Sequence, residues 1–167
     1  IYEVEEDFLK PIEQAVLKDA IDYHRLTNVK FINDTFWIST TGPMLFKLSK
    51  DLKNIETIPL YDNVNKYSKE MLFSNKIIHG PDDKVYVSTE DGILVFNKTK
   101  NSPIDIYNAS KIANDGQSIG LCLHMAFDNE GRLWMINRSR RIFYRDKNGE
   151  IINPNLALSN EKVYDIK

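Results

Sequence analysis

The chain has 167 residues, a formal net charge of −2, 42% hydrophobic residues and 28% charged ones. That length suits one domain with a sizeable core, and the balance is that of a globular chain rather than a disordered one or a generic binder of nucleic acid. No apolar run reaches the ~18 residues of a membrane-spanning helix.

The acidic stretch Glu3 to Asp7 is not a signal peptide, and a first residue of Ile rather than Met reads as a processed or excised piece. Residues 1–25 stand apart from the rest. Pro11 suits a first helical turn, with Ile12, Val16 and Ala20 following at i, i+4 and i+8, which predicts a short helix from about Pro11 to Ile21. Tyr2 and Val4 read alternatively as the end of an outer strand from a preceding blade.

From Leu26 the pattern becomes strand and turn. β-Branched and aromatic runs punctuated by Asn, Asp and Gly predict strands at 29–32, 36–40, 44–48 and 55–60 in a first unit. A second unit gives 76–79, 85–89, 93–97 and 104–107, with Glu90-Asp91-Gly92 as a turn. A third gives 123–127, 132–136, 141–145 and 150–152, with an Asn148-Gly149 hairpin signal. Val163 to Ile166 looks like the first strand of a fourth. The longer connectors, 61–73 and 108–120, would carry the chain between units on one face, where ligand-contacting loops also gather.

These units are copies. Ile32-Asn33-Asp34-Thr35-Phe36-Trp37-Ile38-Ser39-Thr40, Pro81-Asp82-Asp83-Lys84-Val85-Tyr86-Val87-Ser88-Thr89 and Asp128-Asn129-Glu130-Gly131-Arg132-Leu133-Trp134-Met135-Ile136 share one design. Their anchoring aromatics are Trp37, Tyr86 and Trp134, steps of 49 and 48 positions. Four antiparallel strands repeated at that period describe propeller blades. The expected fold is therefore all-β, a β-propeller fragment of about three four-stranded blades over residues 26–162. A short helical or irregular segment at 1–25 precedes them, and the first strand of a further blade follows at 163–167. Three units do not close a ring, since propellers use about four to eight blades, so further blades or a homodimer are the expected partners.

The units resemble the two-component regulator propeller repeats of bacterial hybrid two-component systems. Leu158-Ser159-Asn160-Glu161-Lys162-Val163-Tyr164-Asp165-Ile166 is similar to the family's lead-in and inner strand, Asp128 to Met135 to its turn and second strand, and Tyr86 to Ile93 to its strand and Gly turn. Trp37 to Gly42 is a degenerate copy. The third unit departs, with Asn137-Arg138-Ser139-Arg140 in place of the Thr and Gly positions. The resemblance implies a periplasmic or extracytoplasmic sensor segment, often for carbohydrate, that signals across a membrane to a histidine kinase. Contact with the membrane would come only through flanking segments.

The densest local chemistry is basic. Arg132, Arg138, Arg140, Arg141 and Arg145 fall in one hairpin, interleaved with Trp134, Phe143 and Tyr144. Guanidinium forks recognise carboxylate or sulfate, and aromatic faces stack on sugar rings. Arg138, Arg140, Arg141 and Trp134 are therefore candidates for contact with a small molecule or oligosaccharide, set against the plainer reading of a solvated hairpin. Strand alternation puts Arg141, Phe143 and Arg145 on one face and Ile142 and Tyr144 on the other.

His79 and His124 sit on predicted inner strands and join the candidate set, although a satisfied structural histidine is the plainer reading of each. Cys122, the only cysteine, excludes an internal disulfide or a cysteine zinc cage and reads as a buried, inert thiol. Turn chemistry accounts for Asp82-Asp83, Glu90-Asp91 and Asp128-Glu130, and no calcium loop, P-loop, dinucleotide, zinc-protease or serine-hydrolase motif occurs. No cofactor, metal or catalytic group is expected. The sequence thus points to a ligand-binding sensor segment that is not an enzyme, with a protein-interaction scaffold as the alternative.

Overall fold

The structure, a computed structural model, describes residues 2–5, 8–11, 25–60, 74–90, 92–97, 100–108 and 113–154. It is all-β. The first two strands, β1 (Tyr2–Glu5) and β2 (Phe8–Pro11), form an antiparallel hairpin. Three four-stranded antiparallel sheets follow: blade 1 from β3 (Leu26–Ile32), β4 (Thr35–Thr40), β5 (Met44–Ser49) and β6 (Ile55–Pro59); blade 2 from β7 (Ser74–His79), β8 (Val85–Thr89), β9 (Gly92–Phe96) and β10 (Asp105–Asn108); blade 3 from β11 (Cys122–Phe127), β12 (Leu133–Asn137), β13 (Ile142–Arg145) and β14 (Ile151–Ile152). Within each blade the strands pair in sequence order, the arrangement that short hairpin turns enforce.

All twelve predicted blade strands are present. The predicted start at Val29 is the largest miss, and it has a cause. Each inner strand carries a bulge near its start, between Leu26 and Asn28, between Ser74 and Ile77, and between Cys122 and His124. An extra residue breaks the alternation that the eye follows in a sequence.

At the N-terminus the prediction needs correction. Pro11, expected to open a helix, closes a strand instead, while the rest of that expected helix lies outside the described residues. Pro fits there because a strand end need not donate from that nitrogen. The step from β2 to β3 runs from position 11 to 26, matching the steps from β6 to β7 (59 to 74) and β10 to β11 (108 to 122). The hairpin β1–β2 thus holds the place in the chain that the outer strand pair holds in the next two blades. The predicted strand at Val163–Ile166 lies outside the described residues.

One five-residue turn recurs. In Asp128–Arg132, Asn137–Arg141 and Asp146–Glu150 the first N–H donates to the fifth carbonyl at 3.0–3.1 Å, and the fourth N–H donates to the first carbonyl at 2.9–3.1 Å. The first residue's side-chain oxygen accepts from the fifth N–H at 2.9 Å in all three. Gly80–Lys84 shares the first of these bonds, with Gly80 N–H donating to the Lys84 carbonyl at 2.8 Å, while Lys84 N–H donates to the Pro81 carbonyl at 3.3 Å. The fourth residue must take positive φ: Gly131 at 77° and Gly149 at 90°, but Asp83 at 57° and Arg140 at 63°. Gly adopts that region without steric cost, whereas a side chain there is strained by roughly 1 kcal/mol.

Packing lies between blades. Trp37, Leu45 and Ile58 of blade 1 meet Ile77, Val87, Leu94 and Phe96 of blade 2. Tyr86, Ile93, Val95 and Tyr107 of blade 2 meet Met125, Leu133, Met135 and Phe143 of blade 3. The anchoring aromatics are the wedges: Trp37 lies 5.7 Å from the Phe96 ring, and Tyr86 stands edge-on to Phe127 at 5.0 Å. Cys122 is fully buried, and burial pushes its thiol up to about 12, an inert group at neutral pH.

Gly80 makes the second of these contacts possible, because a Cβ there would lie 2.7 Å from the Phe127 ring and would also press on Tyr86. That explains why this copy of the turn begins with Gly where the others begin with Asp or Asn. Gly80→Ala is expected to cost about 1–3 kcal/mol through overpacking, measured as a lower urea midpoint at unchanged slope.

Candidate functional site

Antiparallel connectivity gives each blade two ends. The turn between its first two strands and the turn between its last two share one, here the hairpin end. The turn between the second and third strands shares the other with the connectors. Hydrogen bonds confirm this connector end: Thr41 N–H donates to the Arg25 carbonyl, Leu60 N–H to the Pro43 carbonyl, and Arg138 N–H to the Leu121 carbonyl, each at 2.8 Å.

The arginine-rich hairpin is therefore split. Arg138, Arg140 and Arg141 lie in one turn at the connector end, all exposed. Arg132 and Arg145 lie toward the hairpin end. Trp134 is the second residue of β12, three positions before Asn137 and so roughly 10 Å along the strand from the arginine turn.

The departure from the repeat at Asn137 is structurally conservative. At this strand end Thr40 accepts from the Gly42 N–H at 3.2 Å, and the Thr89 hydroxyl donates to the Gly92 carbonyl at 3.1 Å. Asn137 takes the same role by accepting from the Arg141 N–H at 2.9 Å. The change of residue alters what the turn displays and leaves its backbone frame intact.

At the hairpin end Asp128 organises a polar cluster. Its Oδ1 accepts from the N–H groups of Glu130 and Arg132, both at 2.9 Å. Its Oδ2 accepts from the Trp134 indole Nε1 at 2.7 Å and the Arg132 Nε at 2.6 Å. Trp134, then Arg132 and the two backbone donors, hold the Asp128 carboxyl well below the usual carboxylate range. Arg132 lies over the rings of Trp134 and Tyr144, which are themselves 4.9 Å apart. A cavity of about 420 Å³ opens beside this cluster, lined by Glu130, Arg132, Tyr144, Asp146, Lys147 and Ile152. Sequence reasoning missed the cavity because its lining comes from two separate turns.

The two histidines part company as well. His79 ends β7 at the hairpin end, exposed, with Nε2 3.4 Å from Asp83 Oδ1. His124 is the third residue of β11, paired with Ile136 and nearer the connector end. Of the two, it is the one placed toward the arginine turn. Among the described residues no group of three His, Cys, Asp or Glu side chains is arranged to hold a metal ion.

No protein-family model matches this chain, and no curated protein matches its sequence. Among solved structures it is similar to an extracellular domain ascribed to a hybrid two-component system of B. thetaiotaomicron, with a TM-score of 0.61 and 13% identity over 85% of this chain and 19% of that one. A second structure of the extracellular domain of that same protein, there ascribed to a one-component system, gives 0.61 and 14% over 85% and 18%. The WD40 domain of Neurospora crassa Pan2 gives 0.55 and 14% over 79% and 38%. At these identities the likeness is one of fold, and the chain has β-propeller blades. It spans about a fifth of the length of that extracellular domain.

The Asp128 cluster carries a pH prediction. A carboxyl held below its unfolded value, about 3.9, contributes stability that is complete above that value and fades as pH falls through the folded one. The wild-type chain is expected to lose stability below about pH 4 more steeply than Asp128→Asn, measured by urea melts between pH 6 and pH 3.

Proposed function

We propose that these blades belong to an extracytoplasmic, carbohydrate-sensing propeller of a hybrid two-component histidine kinase, and that they bind a ligand without performing chemistry on it. The fold likeness to an extracellular sensor domain supports the setting. The connector end supports the site, since Arg138, Arg140 and Arg141 extend there from one turn, with His124 toward the same end of the inner strand. A small molecule or oligosaccharide carrying carboxylate or sulfate groups is the ligand class suited to guanidinium forks. Binding would shift the population between arrangements of blades or subunits and so report outward.

The observation that carries this reading is Arg140. It stands at φ 63° in a turn whose other copies in blade 3 use Gly131 and Gly149. A strained residue kept where Gly costs nothing points to use of its side chain.

Arg140→Gly separates function from fold. The variant is expected to gain about 1 kcal/mol of stability by relief of strain. It is also expected to bind an acidic oligosaccharide such as an oligogalacturonate about tenfold more weakly, the loss of one charge-assisted hydrogen bond. Calorimetric titration beside a thermal melt gives both numbers, and a neutral maltooligosaccharide serves as control. Equal affinity for wild type and variant, or no binding of either sugar, counts against the site. Selective capture of a protein partner through these arginines would favour the scaffold reading instead.

A further inference from the structure

Most of the buried and half-buried cations have a visible occupation. Lys47 closes the seam between blades 1 and 2, lying 4.7 Å over the Trp37 ring and donating to Asn101 Oδ1 at 2.7 Å. Arg132 is held by Asp128, and Arg145 closes the next seam by lying 4.3 Å over the Tyr107 ring. Lys76 is different. It stands half-buried on the inner strand β7, and among the described residues its ammonium meets no carboxylate, carbonyl or ring. An ammonium withdrawn from water without a counter-group costs free energy, so its surroundings are worth following.

The bulge of each inner strand sets two residues opposite one: Thr27 and Asn28 opposite Ser39, Asn75 and Lys76 opposite Ser88, Leu123 and His124 opposite Ile136. In blade 1 both bulge residues face blade 2. The Thr27 hydroxyl donates to the Ser74 carbonyl at 2.6 Å, and Asn28 Oδ1 accepts from the Ile77 N–H at 3.2 Å. In blade 2 the first bulge residue behaves alike, since Asn75 Nδ2 donates to the Leu123 carbonyl of blade 3 at 3.4 Å. Lys76 takes the place of Asn28. It lies toward blade 3, because Ile77 beside it turns the other way, into the seam with blade 1. The N–H at the equivalent register is that of Met125, which pairs with Met135 as Ile77 pairs with Val87. Asn28 offers such an N–H an acceptor, whereas an ammonium only donates. The second seam thus has two donors where the first has a donor and an acceptor, and among the described residues no side-chain oxygen accepts from Met125 N–H.

We propose that this place is a binding site for a small carboxylate. One of its oxygens accepts from the Met125 N–H, as Asn28 Oδ1 does from Ile77, and the other accepts from the Lys76 ammonium. One formal charge and two donors match a monoanion with two oxygens, and a charged donor makes the stronger kind of hydrogen bond. Strands β7 and β11 are edge strands of their sheets, so the site opens along that edge and not within a sheet. The bound anion completes in the second seam the cross-link that Asn28 makes in the first, and so ties blade 3 to blade 2. The site shares no residue with the arginine turn, and it stands or falls apart from the sensor reading.

Acetate is the probe, titrated against chloride at constant ionic strength into the isotope-labelled chain while the Met125 amide is followed by NMR. A saturable downfield shift of that amide is expected. Lys76→Gln should bind acetate about tenfold more weakly, through loss of the charge-assisted bond. Lys76→Asn supplies the acceptor that blade 1 uses, so it should abolish the acetate response and raise the urea midpoint in acetate-free buffer. A Met125 amide that does not saturate with acetate overturns the proposal. So does an equal response in wild type and Lys76→Gln, the result for an ammonium that simply reaches solvent along its stem. An acetate response that survives in Lys76→Asn overturns it as well.

Discussion

The three blades stand in one register because their inner strands are cross-linked by side chains acting as backbone partners. The Thr27 hydroxyl donates to the Ser74 carbonyl at 2.6 Å, the Ile77 N–H donates to Asn28 Oδ1 at 3.2 Å, and Asn75 Nδ2 donates to the Leu123 carbonyl at 3.4 Å. Those carbonyls and N–H groups are available because a bulge interrupts the ladder at that point of each inner strand. Ser88 takes the Lys76 N–H at 3.0 Å, and Ser39 bonds Thr27 at 2.8 Å. Hydrophobic packing between blades tolerates sliding, since it has no direction. The polar cross-links do not, and they fix the offset at which Trp37 and Tyr86 meet their neighbours.

Given that offset, the two ends of the arc differ in chemistry. The hairpin end is knitted by Asp128, Asp146 and the cations that close the seams, so its charges are largely committed to structure. Lys47 shows the cost: burial lowers its affinity for a proton, with only partial compensation from Glu56. At the connector end Arg138, Arg140 and Arg141 stand exposed in one turn. Arginines that look like one patch along the chain therefore lie at two ends of the blade.

Much of this was legible in the residues. Alternation and turn chemistry placed all twelve blade strands, and the spacing of Trp37, Tyr86 and Trp134 exposed the repeat. What escaped was whatever depends on meeting across the chain. The inner-strand bulges hide in runs such as Ser74-Asn75-Lys76-Ile77, where no period survives. The N-terminal hairpin was obscured because Pro11 suits a first helical turn as well as it suits a strand end. Arg138 and Trp134 are neighbours in sequence, and only the direction of β12 separates them. The turn at Asn137 looked irregular because a carboxamide can do the work of a Thr hydroxyl, a substitution of function that residue similarity does not reveal.

The five-residue turn has a wider consequence. Its frame is held by two backbone bonds and one side-chain oxygen at the first position, so the frame does not dictate which side chains stand at the second and third positions. Asn129-Glu130, Arg138-Ser139 and Lys147-Asn148 differ completely on the same frame. A rim built from such turns can change its surface residue by residue while the blades beneath keep their alignment. Diversification of what this protein meets at its rim is in that sense uncoupled from the persistence of its fold.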